Sequence, residues 1–192
     1  VDRGARFFWT LVAGLAAASA YFAVGVERQR AEARQTSVPL QTGDVVRLER
    51  VVDGDTVLVK SDAGQETTVR LLGIKAFEAT PEREPVARFG KDAVDAIREL
   101  TRDTPLRVMV DATGQDRHGR TLATLYAGDR DLGLALVQRG LAMVYTVYPF
   151  PALPYYSQAQ QNAREKQLGL WADPAARLRA DALAAEWRRR NE

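Results

Sequence analysis

The chain has 192 residues, 46% apolar and 27% charged, with 27 Lys plus Arg against 25 Asp plus Glu and a net charge of +2. That fits one sizeable folded domain and excludes a disordered chain; a balance this close to neutral also excludes a generic polyanion binder, so any anion site has to be local. With no Cys and a single His, His118, thiolate nucleophiles, Fe–S clusters, Cys-based zinc sites and multi-His metal centres drop out, leaving carboxylate, arginine, lysine and hydroxyl chemistry.

Phe7–Val26 (FFWTLVAGLAAASAYFAVGV) runs for twenty residues without a charge. As a helix it would extend about 30 Å, the thickness of a bilayer's hydrocarbon core. Phe7, Phe8 and Trp9 at one end and Tyr21 and Phe22 at the other suit interfacial anchors. Residues 1–34 are therefore read as a transmembrane anchor with its juxtamembrane end. The competing reading is a secretory signal peptide cleaved at Ala18-Ser19-Ala20. Arg3 and Arg6 face Arg28, Arg30 and Arg34 across the span and leave its orientation open. The expected location is a bacterial inner membrane with the domain facing the periplasm, or a mitochondrial inner membrane. Residues 35–42, around Ser37-Val38-Pro39, read as a linker.

Residues 43–173 carry the folded domain. Val45–Val52 and Thr56–Lys60 are β-branched runs separated by Asp53-Gly54-Asp55, a hairpin pattern. A turn at Asp62-Ala63-Gly64 leads into a third strand, Thr67–Ile74. Between Pro85 and Leu100 the apolar residues Val86, Phe89, Ala93, Ile97 and Leu100 recur at spacings of three and four, predicting an amphipathic helix. Leu106–Val110 and Thr121–Ala127 read as strands around a loop at Asp111–Arg120. Leu132–Gly140 and Tyr155–Leu168 read as helices, each closed by a glycine, Gly140 and Gly169. Five short strands and three helices predict an α+β fold, a small barrel carrying helices.

Residues 174–192 predict one more helix, with Ala176, Ala180, Leu183 and Trp187 in a narrow apolar stripe. Its five Arg exceed its three acids by the net charge of the whole chain. It reads either as a helix packed on its own domain or as a docking helix for a partner or an anionic lipid surface.

Three clusters hold the residues able to do chemistry: Val52–Thr56 (VDGDT), Arg70–Glu78 (RLLGIKAFE) and Asp116–Arg120 (DRHGR). Arginine suits phosphate because its planar fork makes two charge-assisted hydrogen bonds at once, and a nearby carboxylate can activate water. Taken in order, VDGDTV, RLLGIKAFE, DRHGRTL, Leu134–Leu141 (LALVQRGL) and Gly169-Leu170-Trp171 resemble the staphylococcal nuclease (thermonuclease) family over residues 43–173. The resemblance implies an OB-type five-stranded barrel with three helices and Ca²⁺-dependent hydrolysis of DNA and RNA.

Carried over by position, it implies that Asp55 ligates the metal, with Asp53 supporting it and the backbone carbonyl of Ala76 contributing. Arg70 and Arg120 would grip the phosphate and stabilise charge developing on it, and Glu78 would position or deprotonate the attacking water. Arg117, His118, Tyr145 and Tyr148 would contact substrate, although His118, with nothing nearby in sequence to mark it as a ligand, reads first as an exposed loop residue. One position departs from the pattern: where the family carries a second calcium carboxylate, this chain has Lys75, and Phe77 replaces a proline. Calcium prefers several oxygens and negative charges, and a cation in its shell opposes it by several kcal/mol even at an effective dielectric of about 20. Lys75 has three possible fates: it swings into solvent, it acts as an internal counter-ion between Asp55 and Glu78, or it stands in for the metal. The functional readings are a membrane-tethered nuclease with Ca²⁺ as its cofactor and nucleic acid as its partner, a catalytically inactive nuclease-like subunit of a membrane protein complex held through the span and residues 174–192, or a nucleic-acid binder without cleavage.

Overall fold

The computed structural model describes residues 39–80 and 86–189, together with Trp9 and Val12. The expected membrane span, residues 7–26, lies outside the described residues apart from Trp9 and Val12. Among the described residues, no helix is long and apolar enough to cross a membrane. The chain divides into two compact units, Val1–Pro39 and Leu40–Glu192.

The second unit opens with Leu40, which is buried in the core, so the folded unit starts inside the stretch read as linker. Strands β1 (Val45–Asp53), β2 (Thr56–Ser61) and β3 (Glu66–Leu71) form an antiparallel meander. Two register irregularities in β1, between Leu48 and Arg50 and between Val51 and Asp53, coil it in the way bulges do. β5 (Leu106–Gln115) pairs with β1 and with β6 (Thr121–Ala127), and β6 pairs in parallel with β3. The five long strands thus close into a ring in the order β1-β2-β3-β6-β5. Alternate residues Val57 and Val59, Val69 and Leu71, Leu106 and Val108, and Ala123 and Leu125 are buried in one core, as the period of two requires. Ala93, Ile97 and Leu100 of helix α1 (Ala87–Leu100) and Leu132 and Leu136 of α2 (Leu132–Gln138) join it.

Several boundaries differ from expectation. The third strand ends at Leu71, because Gly73 turns the chain at a φ of 74° with its Cα against the Phe150 ring. Ile74–Lys75 then form a separate short strand, β4, paired with β8 (Met143–Val144). The loop expected from Asp111 begins only after Gln115, because the polar stretch Asp111–Gln115 remains extended within β5. β7 (Arg130–Asp131) adds a two-residue edge to β6. Helix α3 spans Leu153–Glu165, short of the expected Leu168, because the backbone turns out of the helix at Gln167 with a φ of 52°.

Gly140 and Gly169 do more than end helices. They lie backbone against backbone: the Leu170 N–H donates to the Gly140 carbonyl at 2.9 Å. A Cβ on Gly140 would sit 2.2 Å from the Leu168 carbonyl oxygen, and one on Gly169 would sit 2.3 Å from that of Gly140. After a short 3₁₀ turn at Gly169–Ala172 comes α4 (Pro174–Arg189). Its Ala176, Ala180 and Trp187 are buried, with Leu183 beside them, in a second cluster that includes Phe77, Val86, Phe89, Met143 and Trp171. The apolar stripe of the tail therefore packs on its own domain.

Candidate phosphate and nucleic-acid site

Gly54 has an ordinary negative-side backbone, so its place in the β1–β2 turn answers to packing. A Cβ there would lie 2.7 Å from that of Ala76 and 2.8 Å from that of Ala93. Gly90 of α1 likewise lies against the backbone of Phe77 and Glu78, where a Cβ would meet the Phe77 carbonyl oxygen at 2.5 Å. These two close approaches bring the Asp53–Asp55 turn, the Lys75–Glu78 segment and α1 together.

Asp55 is buried at their junction. Its Oδ2 accepts the Ala76 N–H at 3.0 Å and stands 3.3 Å from Arg70 Nη2 and 3.4 Å from Lys75 Nζ. Its Oδ1 accepts the Thr56 hydroxyl at 3.1 Å. Burial pushes the Asp55 carboxyl up, but Arg70, Lys75, the Ala76 N–H and the Thr56 hydroxyl outweigh it and hold the group below the usual carboxylate range. Arg70 is fixed by backbone as well as by charge: Nη1 donates to the carbonyls of Asp55 at 3.1 Å and Leu71 at 3.2 Å, and Nη2 to that of Ile74 at 2.7 Å. Burial lowers its pKa, against the opposing pull of Asp55.

The parallel pairing of β3 with β6 sets Val69 opposite Thr121, so Arg70 and Arg120 reach the same end of the ring. Arg120 donates from Nε to Asp116 Oδ2 at 2.7 Å and from Nη1 to the Thr56 hydroxyl at 3.2 Å. That hydroxyl accepts from Arg120 while it donates to Asp55, linking the two charged pairs through one side chain. Asp116 also accepts the backbone N–H groups of His118 at 2.8 Å and Arg120 at 3.0 Å, which shapes the Asp116–Arg120 loop. Thr56 was not singled out in the sequence, where its only mark is its place directly after Asp55.

The other expected site residues divide. Asp53 is half-buried and accepts the Gly54 N–H at 2.9 Å; burial raises its pKa, with the Asp55 and Glu78 charges acting in the same direction. Glu78 is half-buried and near enough to Asp53 for their charges to interact. Tyr145 is half-buried and follows β8; its N–H donates to the Gly73 carbonyl at 2.9 Å. Its ring centroid lies 6.2 Å from that of Tyr148, which is exposed. Arg117 and His118 are exposed and joined to each other, Arg117 Nε donating to His118 Nε2 at 3.2 Å.

The donor set does not fit a calcium ion. Both oxygens of Asp55 already accept hydrogen bonds or face cations, and Ala76 turns its N–H, a donor, toward this carboxylate. Among the described residues, no group of three or more His, Asp or Glu side chains could hold a metal. The arrangement instead converges three cations, Arg70, Lys75 and Arg120, beside an aromatic pair, a chemistry suited to a phosphate ester with an attached base.

The family described as staphylococcal nuclease homologue matches residues 68–173. The thermonuclease of Staphylococcus intermedius is 35% identical over 132 residues, 67% of this chain and 77% of that protein. A micrococcal nuclease of Shigella flexneri is 34% identical over 143 residues, 70% of this chain and 75% of its own length. The thermonuclease of Staphylococcus hyicus is 30% identical over 125 residues, 65% of this chain and 73% of that protein. The chain belongs to the staphylococcal nuclease homologue family.

Proposed function

We propose that this chain binds single-stranded DNA or RNA through phosphodiester contacts and that Lys75 suppresses the Ca²⁺-dependent hydrolysis associated with its family. The closed ring of strands is read as the family's OB-type barrel. The observation that carries the proposal is the Lys75 ammonium 3.4 Å from Asp55 Oδ2, beside Arg70 at 3.3 Å. A dication entering there would have to displace one cation and bear the repulsion of another in a poorly hydrated site. Of the fates open to Lys75, the internal counter-ion between Asp55 and Glu78 draws support at its Asp55 end from this distance, and a lysine turned away into solvent draws none. Arg120 and Lys75, each about a third exposed, retain access to a phosphate oxygen.

The test uses the full chain in mild detergent with labelled single-stranded DNA and RNA, in EDTA and in millimolar Ca²⁺. Wild type is expected to bind in EDTA, to lose that binding in Arg120→Ala, and to cleave no faster than Arg120→Ala when Ca²⁺ is added. Lys75→Asp is expected to gain Ca²⁺-dependent cleavage of about 100-fold, the scale of one well-placed electrostatic group. Calcium-dependent cleavage by wild type well above the Arg120→Ala level overturns the proposal.

Residues 7–26 are proposed as a membrane anchor on their length and lack of charge. Deleting them should release the chain from the membrane fraction; retention of the shortened chain there overturns the assignment.

A further inference from the structure

Helix α4 begins at Pro174, just past the last residue matched to the family, yet it reaches the candidate site. Asp173 caps it, its Oδ1 accepting the Ala176 N–H at 2.8 Å, and Asp181 pairs with Arg164 of α3 at 2.9 Å. With these anchors set, the spacing of Ala176, Ala180, Leu183 and Trp187 keeps all of them on one helical face. The two alanines allow close approach at the start of the helix, and Trp187 fills the space at its end, only 5% exposed. Its indole meets the ring of Tyr145 edge-on, with centroids 4.9 Å apart and planes at 82°.

Trp187 abuts the Tyr145 ring, while the Tyr145 backbone is tied by its N–H to the Gly73 carbonyl in the turn before Lys75, within electrostatic reach of Arg70. The remaining aromatic neighbour of Tyr145 is Tyr148, tilted at 58° and 69% exposed. A tyrosine free to turn about its side-chain bonds would lose that freedom on stacking a base, whereas one already held presents its ring at less entropic cost.

We propose that Trp187 is a positioning residue for base recognition: it fixes Tyr145 so that Tyr145 and Tyr148 form an aromatic face for an unpaired base of a single strand. This rests on the phosphodiester-binding reading above, with Arg120 and Lys75 holding the adjoining phosphate. The C-terminal helix is then part of the binding apparatus, although it lies outside the family's span.

The test measures anisotropy of the full chain in EDTA with oligothymidylate and with an abasic strand of equal length and charge. Trp187→Leu keeps an apolar side chain in the cluster but removes the ring edge. It is expected to weaken oligothymidylate binding about fivefold, within the range of one stacked base, while leaving the abasic strand within about twofold. Trp187→Phe should recover most of the loss. Leu183→Ala, a packing change one turn earlier on the same face, should alter neither strand by more than about twofold. Equal losses on both strands, no loss on either, or the same base-selective loss in Leu183→Ala overturn the inference.

Should Trp187→Leu fail to fold, the wild-type chain labelled with 5-fluorotryptophan decides the matter. The Trp187 resonance, identified by its disappearance in Trp187→Phe, should shift on adding oligothymidylate and stay still with the abasic strand; an unmoved resonance overturns the inference. Wild type that binds neither strand overturns the phosphodiester-binding reading and this one together. Arg120-dependent binding without a base-selective effect of Trp187 overturns this one alone.

Discussion

Asp55 and Asp131 are both carboxylates drawn largely out of water, one among cations and the other among neutral donors. Asp55 faces Arg70 and Lys75, which hold its pKa below the ordinary value against burial. Asp131 accepts the Leu134 N–H at 3.0 Å, capping α2, and the Tyr156 hydroxyl lies 2.9 Å from each of its oxygens. There burial dominates and the pKa rises despite those hydrogen bonds. Gly133 makes room for the tyrosine, since a Cβ would lie 2.8 Å from its hydroxyl. The contrast separates two uses of an acid withdrawn from bulk water. The first concentrates charge at the end of the ring, where a charged ligand could exploit it; the second joins α2 to α3 through polar groups that need no charge.

Neutral isosteres at the two positions should therefore behave differently. Asp55→Asn keeps the shape but leaves two cations without their counter-charge, and should cost about 3 kcal/mol in urea unfolding at pH 7. A cost as small as that at Asp131 would break the comparison. Tyr156→Phe should cost about 1.5 kcal/mol, because Asp131 loses a donor where water is scarce.

Tyr156 also carries a pH signature. Burial, together with Asp131, raises its pKa well above the ordinary 10.0, so above about pH 10 the unfolded chain loses this proton while the folded one keeps it. Wild type is thus expected to lose stability as pH rises through that region. The gap between wild type and Tyr156→Phe should narrow, and a constant gap from pH 8 to 11 would deny the shift. Asp131→Asn should have the smallest effect, below about 1 kcal/mol at pH 7. Because the folded value of Asp131 is raised, the wild-type acid loses stability as pH climbs from about 4 through that value, and the Asn variant should lack this slope. An Asp131→Asn cost exceeding that of Asp55→Asn would reverse the comparison.

Much of this is legible in the amino-acid sequence alone. The β-branched run at Thr56–Lys60, the strand pattern at Thr121–Ala127 and the three-and-four spacing through Ile97 mark buried faces directly, because side-chain periodicity follows backbone geometry. β4 and β8, two residues each, are too short to carry a period. Asp111–Gln115 extends β5 without apolar alternation, so nothing in its composition separates it from a loop. At the site, the ordered motifs identified Asp55, Arg70, Lys75 and Arg120, but not where the Lys75 ammonium goes. A long side chain with several rotatable bonds takes its position from the surroundings, here from Asp55. The meeting of Trp187 with Tyr145 was hidden for a different reason: the helical stripe shows that Trp187 turns inward but not which ring it will meet.

The backbone contact between Gly140 and Gly169 makes the two positions a single locked unit as far as mutation is concerned. A methyl group at either collides with a main-chain carbonyl, which no change of rotamer can move aside, and a methyl at both only doubles the obstruction. No second substitution elsewhere can readily compensate. In a saturation library selected for folding, these two positions should stand almost empty while Arg139 and Lys166 vary.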